Sequence, residues 1–345
     1  GAKVLLISHL GRPKGKVVPS LSLAPVAARL SRLLGKPVAM APGCMGDAVQ
    51  AAVAALQPGQ VLMLENCRFH AGDEKNDEAM GRALAELCDV FVNDAFGAAH
   101  RAHASTVGVT KFVPVSACGF LMAKELEYLG RAVTNPARPI VAVLGGAKVS
   151  DKIGVLKNLV SKVDALLVGG GMAYTFLKAQ GMEVGASLLE ADKLDVARAV
   201  LNEARAKGVT FLLPMDHVVA ERAEAAAATR LADSTAIPPG WMGLDIGPKA
   251  REAFAKLIRG AKTVLWNGPM GVFELAPFRE GTFAVARSIA ASGATSIVGG
   301  GDSVAAVTQA GVADKITHIS TGGGASLEFL EGIELPGVAA LTDKR

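Results

Sequence analysis

Five short apolar runs in this chain stop abruptly at glycines: AVLGGAKVSDK (142–152), ALLVGGGMAY (165–174), VLWNGPMGVFE (264–274), SIVGGGDSVA (296–305) and HISTGGGAS (318–326). Runs so short and so apolar suit strands buried on both faces of a parallel sheet. Glycine at the carboxyl end lets backbone approach a ligand where a side chain would collide. After four of the five, an amphipathic helix pattern begins directly, so free N–H groups and a positive dipole end point at the turn. Parallel sheets bind ligands at the carboxyl ends of their strands. Several such ends in one half of a chain predict a phosphate-bearing nucleotide site.

The first third alternates strands and helices too. KVLLIS (3–8) leads into HLGRP, and the helix SLAPVAARLSRLLG closes on Gly35 as its C-cap. PVAM, GDAVQAAVAAL, VLMLENCRF, a helix from about Asp77 to Leu87, and DVFVND (89–94) continue the rhythm, which predicts βαβ units and a parallel sheet. Near 116–133 the rhythm breaks: SACGFLMAKELEYLGRAVTN reads as one long helix, stopped by NPARP and placed as a connector. A second βα series runs from Ile140 to about Leu330, with a less regular stretch at 216–240 read as a helix or strand piece plus a polar excursion. A chain of 345 residues exceeds what one compact core usually organises, so two domains are expected.

Charge and cysteine content narrow the function classes. A net charge of +4 does not indicate nucleic acid, and a few arginines gathered in one anionic-substrate pocket account for it more simply. Cys44, Cys67, Cys88 and Cys118 are widely spaced, form no CxxC pair and match no zinc pattern, so they read as free thiols of a reducing compartment. With no signal peptide and no apolar run long enough to span a bilayer, the expectation is a cytoplasmic protein without a membrane partner.

Within GGAKVSDK, Ser150 or Asp151 is positioned to cap a helix bearing Ile153, Leu156, Leu159 and Val163 at helical spacing. Lys148 and Lys152 sit where a helix dipole disfavours cations, which makes sense if an anion lies between them; two solvated lysines are the alternative. In VGGGDSV, Gly300, Gly301 and Ser303 would offer backbone N–H groups to phosphate. Asp302 would oppose that phosphate unless Mg²⁺ bridged them, or else it is only an N-cap. TGGGAS repeats the turn without an acid and suits a phosphoryl group in transfer. Asn267 and Glu274 flank WNGPMGVFE, and Glu274 suits ribose hydroxyls. No GxxxxGK[ST] occurs, and a GGG without GxGxxG or a following acidic residue is weak evidence for a dinucleotide. In the first half, His9, Arg12, Arg68, His100 and Arg101 each follow a strand end and would converge on a small, multiply anionic molecule. His103, with no third ligand near His100, reads as structural.

Laid out in order, SHLGRP, ENCRFH, FVNDAFGAAHRAHAST, CGFLM, LGGAKVSDKI, GGGMAYTFL, GWMGLDIGP, WNGPMGVFE, GGGDS, STGGGASLEFL and the LPGVAAL tail resemble the signature segments of the phosphoglycerate kinase family over essentially the whole chain. The resemblance implies an α/β fold of two Rossmann-like, three-layer domains with parallel sheets joined by a long hinge helix. It places a phosphoglycerate-binding domain at 1–118, a connecting helix at 119–135 and a nucleotide-binding domain at 136–332, with the tail 333–345 on the first. It implies reversible in-line phosphoryl transfer between 1,3-bisphosphoglycerate with MgADP and 3-phosphoglycerate with MgATP, by a monomer that bends about its hinge near 134–139. His9, Leu10, Gly11, Arg12, Arg68 and Arg101 would bind the phosphoglycerate. Gly145, Ala147, Gly171, Gly243 and Glu274 would hold adenosine. Lys152, Asn267 and Gly300–Ser303 would hold the phosphates, with Asp302 near Mg²⁺. Lys148 and the helix starts after Gly300 and Gly323 would stabilise the moving group. Ser303 stands where the family often has threonine. The family's opening strand, with a motif like R-x-D-x-N-V-P, is expected upstream of Gly1 in a longer chain; a non-catalytic nucleotide-binding fragment is the alternative. An NAD-dependent oxidoreductase is the more distant rival.

Overall fold

The computed structural model describes residues 1–235 and 237–342, so the last three residues of the tail expected on the first domain lie outside the described residues. The chain forms two compact units, Gly1–Ala123 with the segment from Glu334 onward, and Lys124–Ile333.

In the first unit, β1 (Val4–Leu6), β2 (Val38–Met40) and β3 (Val61–Met63) make a parallel sheet in the order β1–β3–β2. Central β3 is wholly buried, and its side chains divide between two layers. Leu62 joins Val49, Leu56, Leu84 and Phe91 on one face, while Met63 meets Leu23 and Ala27 on the other. A run without polar residues works as a strand because both faces are covered. A separate two-stranded parallel sheet pairs β4 (Val90–Asn93) with β5 (Val115–Cys118).

β5 shortens the expected connector. The helix is Phe120–Thr134, and Ser116–Cys118 belong to a strand instead. Ser116 N–H donates to Thr342 Oγ1 (3.2 Å), and Thr342 N–H donates to Ser116 O (2.9 Å). The tail also places Gly337 N–H on Ala99 O (2.8 Å) and receives Asn93 Nδ2 on Gly337 O (3.1 Å).

The second unit begins with β6 (Ile140–Leu144), β7 (Ala165–Val168) and β8 (Thr210–Leu212). The irregular stretch then forms an antiparallel sheet of β9 (Asp216–Ala220), β10 (Arg230–Asp233) and β11 (Met242–Ile246), in the order β10–β9–β11. Finally β12 (Thr263–Asn267), β13 (Thr295–Gly299) and β14 (His318–Ile319) complete a six-stranded parallel sheet ordered β14–β13–β12–β6–β7–β8. On one face Val141, Val143, Val264 and Trp266 pack with Phe254, Ile258, Val285 and Ile289 of helices Pro248–Gly260 and Glu280–Ala291. On the other, Leu144 and Leu265 meet Leu129, Leu159 and Leu330. Strand order reverses between β6 and β12, and open α/β sheets bind ligands at the carboxyl side of such a switch point.

Candidate functional site

The glycine turns at the switch point are knitted to one another. Gly145 N–H donates to Asn267 O (2.9 Å), Gly146 N–H to Pro269 O (3.1 Å), Gly170 N–H to Met270 O (3.1 Å) and Met172 N–H to Gly146 O (3.1 Å). Pro269 O occupies the place of a Gly145 Cβ, and Gly145 O that of a Gly268 Cβ, with Gly268 at φ +97°. Glycine is required at both because backbone meets backbone inside the fold.

Lys152 turns into this junction. It occupies the N-cap position of helix Ile153–Leu159, which has no side-chain cap. Ser150, expected to cap that helix, bonds Glu190 instead: its Oγ donates to Oε1 (2.6 Å) and its N–H to Oε2 (3.0 Å). Lys152 is only 9% exposed, and its Nζ donates to Asn267 Oδ1. Burial pushes its ammonium below the ordinary lysine range, against the opposing pull of Asp151, Asp302 and Glu331. Buried Asn267 therefore has its carbonyl end occupied, while its Nδ2 has no partner among the described residues. That amide lies against Gly300, where an added Cβ would sit 3.1 Å from Nδ2. Gly300, at φ +89°, opens helix Gly301–Gln309 with no side chain capping the first N–H groups. Asp302 stands exposed in the first turn, away from the N-cap position. Buried Ser303 turns its Oγ inward to accept from Gly268 N–H (2.6 Å).

A buried ammonium, an unmatched amide donor and a bare helix N-terminus thus lie together beside one carboxylate. Donors without acceptors call for an anion, and the orphaned Asn267 Nδ2 is the sharpest sign of it. Among the described residues no group of three or more His, Cys, Asp or Glu could hold a metal ion. A single carboxylate among phosphate donors nevertheless suits Mg²⁺, which takes one or two carboxylates and fills its shell with phosphate and water.

Around this junction Ala147 and Lys148 are exposed on the loop after β6, and Glu274 is exposed beyond β12. Gly171 faces Ala147 O, which lies 2.8 Å from an added Cβ. Gly243 in β11 is pressed by the Tyr174 hydroxyl and donates its N–H to Ser187 Oγ (2.9 Å). Gly323, at φ +51°, opens the short helix Gly324–Leu330. The preceding loop rests on Glu125, which accepts from His318 Nε2 (2.8 Å), Thr321 N–H (2.7 Å) and Thr321 Oγ1 (2.9 Å). Burial opposes that carboxylate, but these donors and Ser320 hold it below the usual carboxylate range. Sequence reasoning missed Glu125, as it missed two buried caps. Asp216 accepts from Lys249 N–H (3.0 Å) and Ala250 N–H (2.8 Å). Asp245, which burial pushes up to about 7, accepts from Gly281 N–H (2.7 Å) and Ile246 N–H (2.9 Å). Each starts a helix far from it in sequence, so no local motif marked it.

In the first unit the joint is Asn66, another residue the sequence did not single out. Its Nδ2 donates to Leu10 O (2.8 Å) and Leu21 O (2.9 Å), and its Oδ1 accepts from Arg68 N–H (3.1 Å). The loop after β1 is thereby fastened to the turn after β3. Arg68 Nη1 donates to Gly11 O (3.2 Å), and its Nε stands 3.8 Å from Glu74 Oε1. Burial and then the Arg68 charge push the His9 imidazole below its ordinary range, with Asp73 opposing. His103, only 9% exposed, is likewise pushed down by burial, with Arg68 and Arg101 acting the same way. The structure therefore brings His9, Arg68, Arg101 and His103 into one charged neighbourhood, while Leu10 and Arg12 are exposed on the adjoining loop. Among the described residues no helix is long and apolar enough to cross a membrane.

Comparison with known proteins gives a consistent picture. The family model described as phosphoglycerate kinase matches residues 1–333. Phosphoglycerate kinase of Acidobacterium capsulatum is 62% identical over 99% of this chain and 87% of its own length. That of Koribacter versatilis is 60% identical over 100% of this chain and 87% of its own. Among solved structures, phosphoglycerate kinase from Coxiella burnetii superposes with a TM-score of 0.90 at 44% identity, covering 98% of this chain and 85% of that one. The Pyrococcus horikoshii enzyme gives 0.83 at 34% identity, covering 99% and 86%.

Proposed function

The chain belongs to the phosphoglycerate kinase family, and on that premise we propose how its own residues divide the work of phosphoryl transfer. The reaction is reversible in-line transfer between MgATP and the carboxylate of 3-phosphoglycerate. A carboxylate oxygen attacks the γ-phosphorus, the bond from that phosphorus to ADP breaks, and an acyl phosphate and ADP result. The acceptor is already ionised at neutral pH, so no general base is needed. Catalysis then rests on positioning and on stabilising charge in a loose transition state.

The observation that carries the nucleotide assignment is the orphaned Asn267 Nδ2 beside Gly300, with Lys152 on the other end of the same amide. Lys152, Asn267 and the N–H groups from Gly300 to Ser303 hold the nucleotide phosphates. Asp302 would hold Mg²⁺, which when bound would screen the phosphate charge. Gly145, Ala147, Gly171, Gly243 and Glu274 form the adenosine seat. Exposed Lys148, with the turns at Gly300 and Gly323, meets the group in transfer. His9, Leu10, Gly11, Arg12, Arg68 and Arg101 hold the multiply anionic acceptor, since guanidinium forks match phosphate and carboxylate.

The test traps the product. Purified chain given MgATP and 3-phosphoglycerate forms ADP only when both are present, and hydroxylamine converts the product to a hydroxamate. ADP release with a hydroxylamine-stable product, or none at all, overturns the carboxyl-acceptor reading.

A further inference from the structure

Two segments of the basic half-site of the first unit have no strand or long helix of their own. Arg68 lies in the turn Cys67–Phe69, and Arg101 and His103 lie in the irregular stretch after β4. One buried carboxylate joins them. Asp73, in the short helix Ala71–Glu74, is 1% exposed. Its Oδ1 accepts from Ser105 N–H (3.1 Å), and its main-chain oxygen accepts from Ala104 N–H (2.9 Å). Its Oδ2 accepts from Cys67 Sγ (3.4 Å) and faces His103 Nδ1 at 3.9 Å. Burial pushes the Cys67 thiol up, so it stays protonated and can donate.

We propose that Asp73 is a positioning residue for the anionic substrate: it pins the Arg101–His103 segment to the segment that carries Arg68. This deepens the assignment of the basic half-site and rests on it. Asp73 does not touch the substrate. It fixes consecutive residues 103, 104 and 105 at once, by a facing imidazole and two main-chain N–H groups. Its charge also faces His9 and His103, and opposes the depression of both imidazoles. Without the carboxylate, the chain around His103 loses two of its three attachments to the helix at 71–74, and the guanidinium at 101 loses its fixed bearing.

The test uses Asp73→Asn in the whole chain, a change that keeps side-chain size but replaces one acceptor oxygen with a donor. Calorimetric titration with 3-phosphoglycerate should show affinity lower by about tenfold, the scale of losing a buried bond to a charged acceptor. MgADP affinity of the same sample should stay within about twofold, the margin of an uncoupled site. Amide exchange at 103–109 should quicken while helix Glu78–Ala85 stays protected, which separates local release from failure to fold. Arg68→Ala runs in parallel. If neither variant weakens 3-phosphoglycerate binding, the half-site assignment falls and this proposal with it. If only Arg68→Ala does, or if Asp73→Asn binds more tightly, the positioning role alone is overturned.

Discussion

At the scale of single residues, Lys148 and Lys152 look alike by spacing but stand in different surroundings. Lys148 is exposed and has no fixed anchor among the described residues, whereas Lys152 is held against Asn267 before any ligand arrives. Lys148→Ala should lower kcat by about a hundredfold or more while nucleotide KM moves little, because a contact made only in the transition state is lost. Steady-state kinetics decide it; unchanged kcat with raised KM would remove Lys148 from the transfer step. His217 tests stability instead. Ser234 Oγ donates to Pro214 O, so it accepts from His217 Nε2–H (2.9 Å), leaving His217 Nδ1 to accept from the Tyr174 hydroxyl (3.0 Å). The imidazole is neutral, and burial lowers its pKa to about 4. The unfolded chain takes up this proton near pH 6.5 and the folded chain does not until near 4, so stability present above 6.5 is lost as pH falls toward 4. The loss amounts to about 3 kcal/mol. Chemical denaturation of His217→Gln across that window should show a slope shallower by one proton; an unchanged slope refutes the assignment.

At the scale of elements, the turns and strands make demands that can be set against each other. Gly145→Ala would drive a Cβ into Pro269 O, rigid backbone on both sides, and should cost about 3 kcal/mol or more. Gly260→Ala, at the end of helix Pro248–Gly260 with open space around it, should be neutral or gain about 0.5 kcal/mol. Equal unfolding midpoints for the two variants would contradict the packing account of these turns. The glycine-ended strands were legible because their signal is local: an apolar run, a glycine, a helix start. Gly35 as a helix C-cap and a helix starting near Asp77 were legible for the same reason. β5 was not, since Ser116 finds its partner 226 residues away at Thr342. Nor were Asn66, Glu125, Asp216 and Asp245, each a lone polar residue whose role is set by a distant backbone. The proposed phosphate-binding turns of the second unit were marked by glycines in the sequence, whereas the residues that buttress them came only with the fold.

At the scale of the whole molecule, each ligand should stabilise the unit that holds it, by about 2.7 kcal/mol at a hundredfold excess over Kd. Hydrogen exchange should therefore slow across 124–333 with MgADP alone, and across 1–123 with 3-phosphoglycerate alone. The reverse pattern would exchange the two assignments. The return of the tail from Glu334 to the first unit has a different consequence, one of folding order. Ser116 and Ala99 wait for Thr342 and Gly337, which come after the whole of the second unit. Lys124–Ile333 is a continuous stretch and needs no later residue to close, although domains generally fold in the order they emerge. The earlier unit is therefore the one that finishes folding second, and a released chain truncated after Ile333 should resist protease in its later half while its earlier half is still cut.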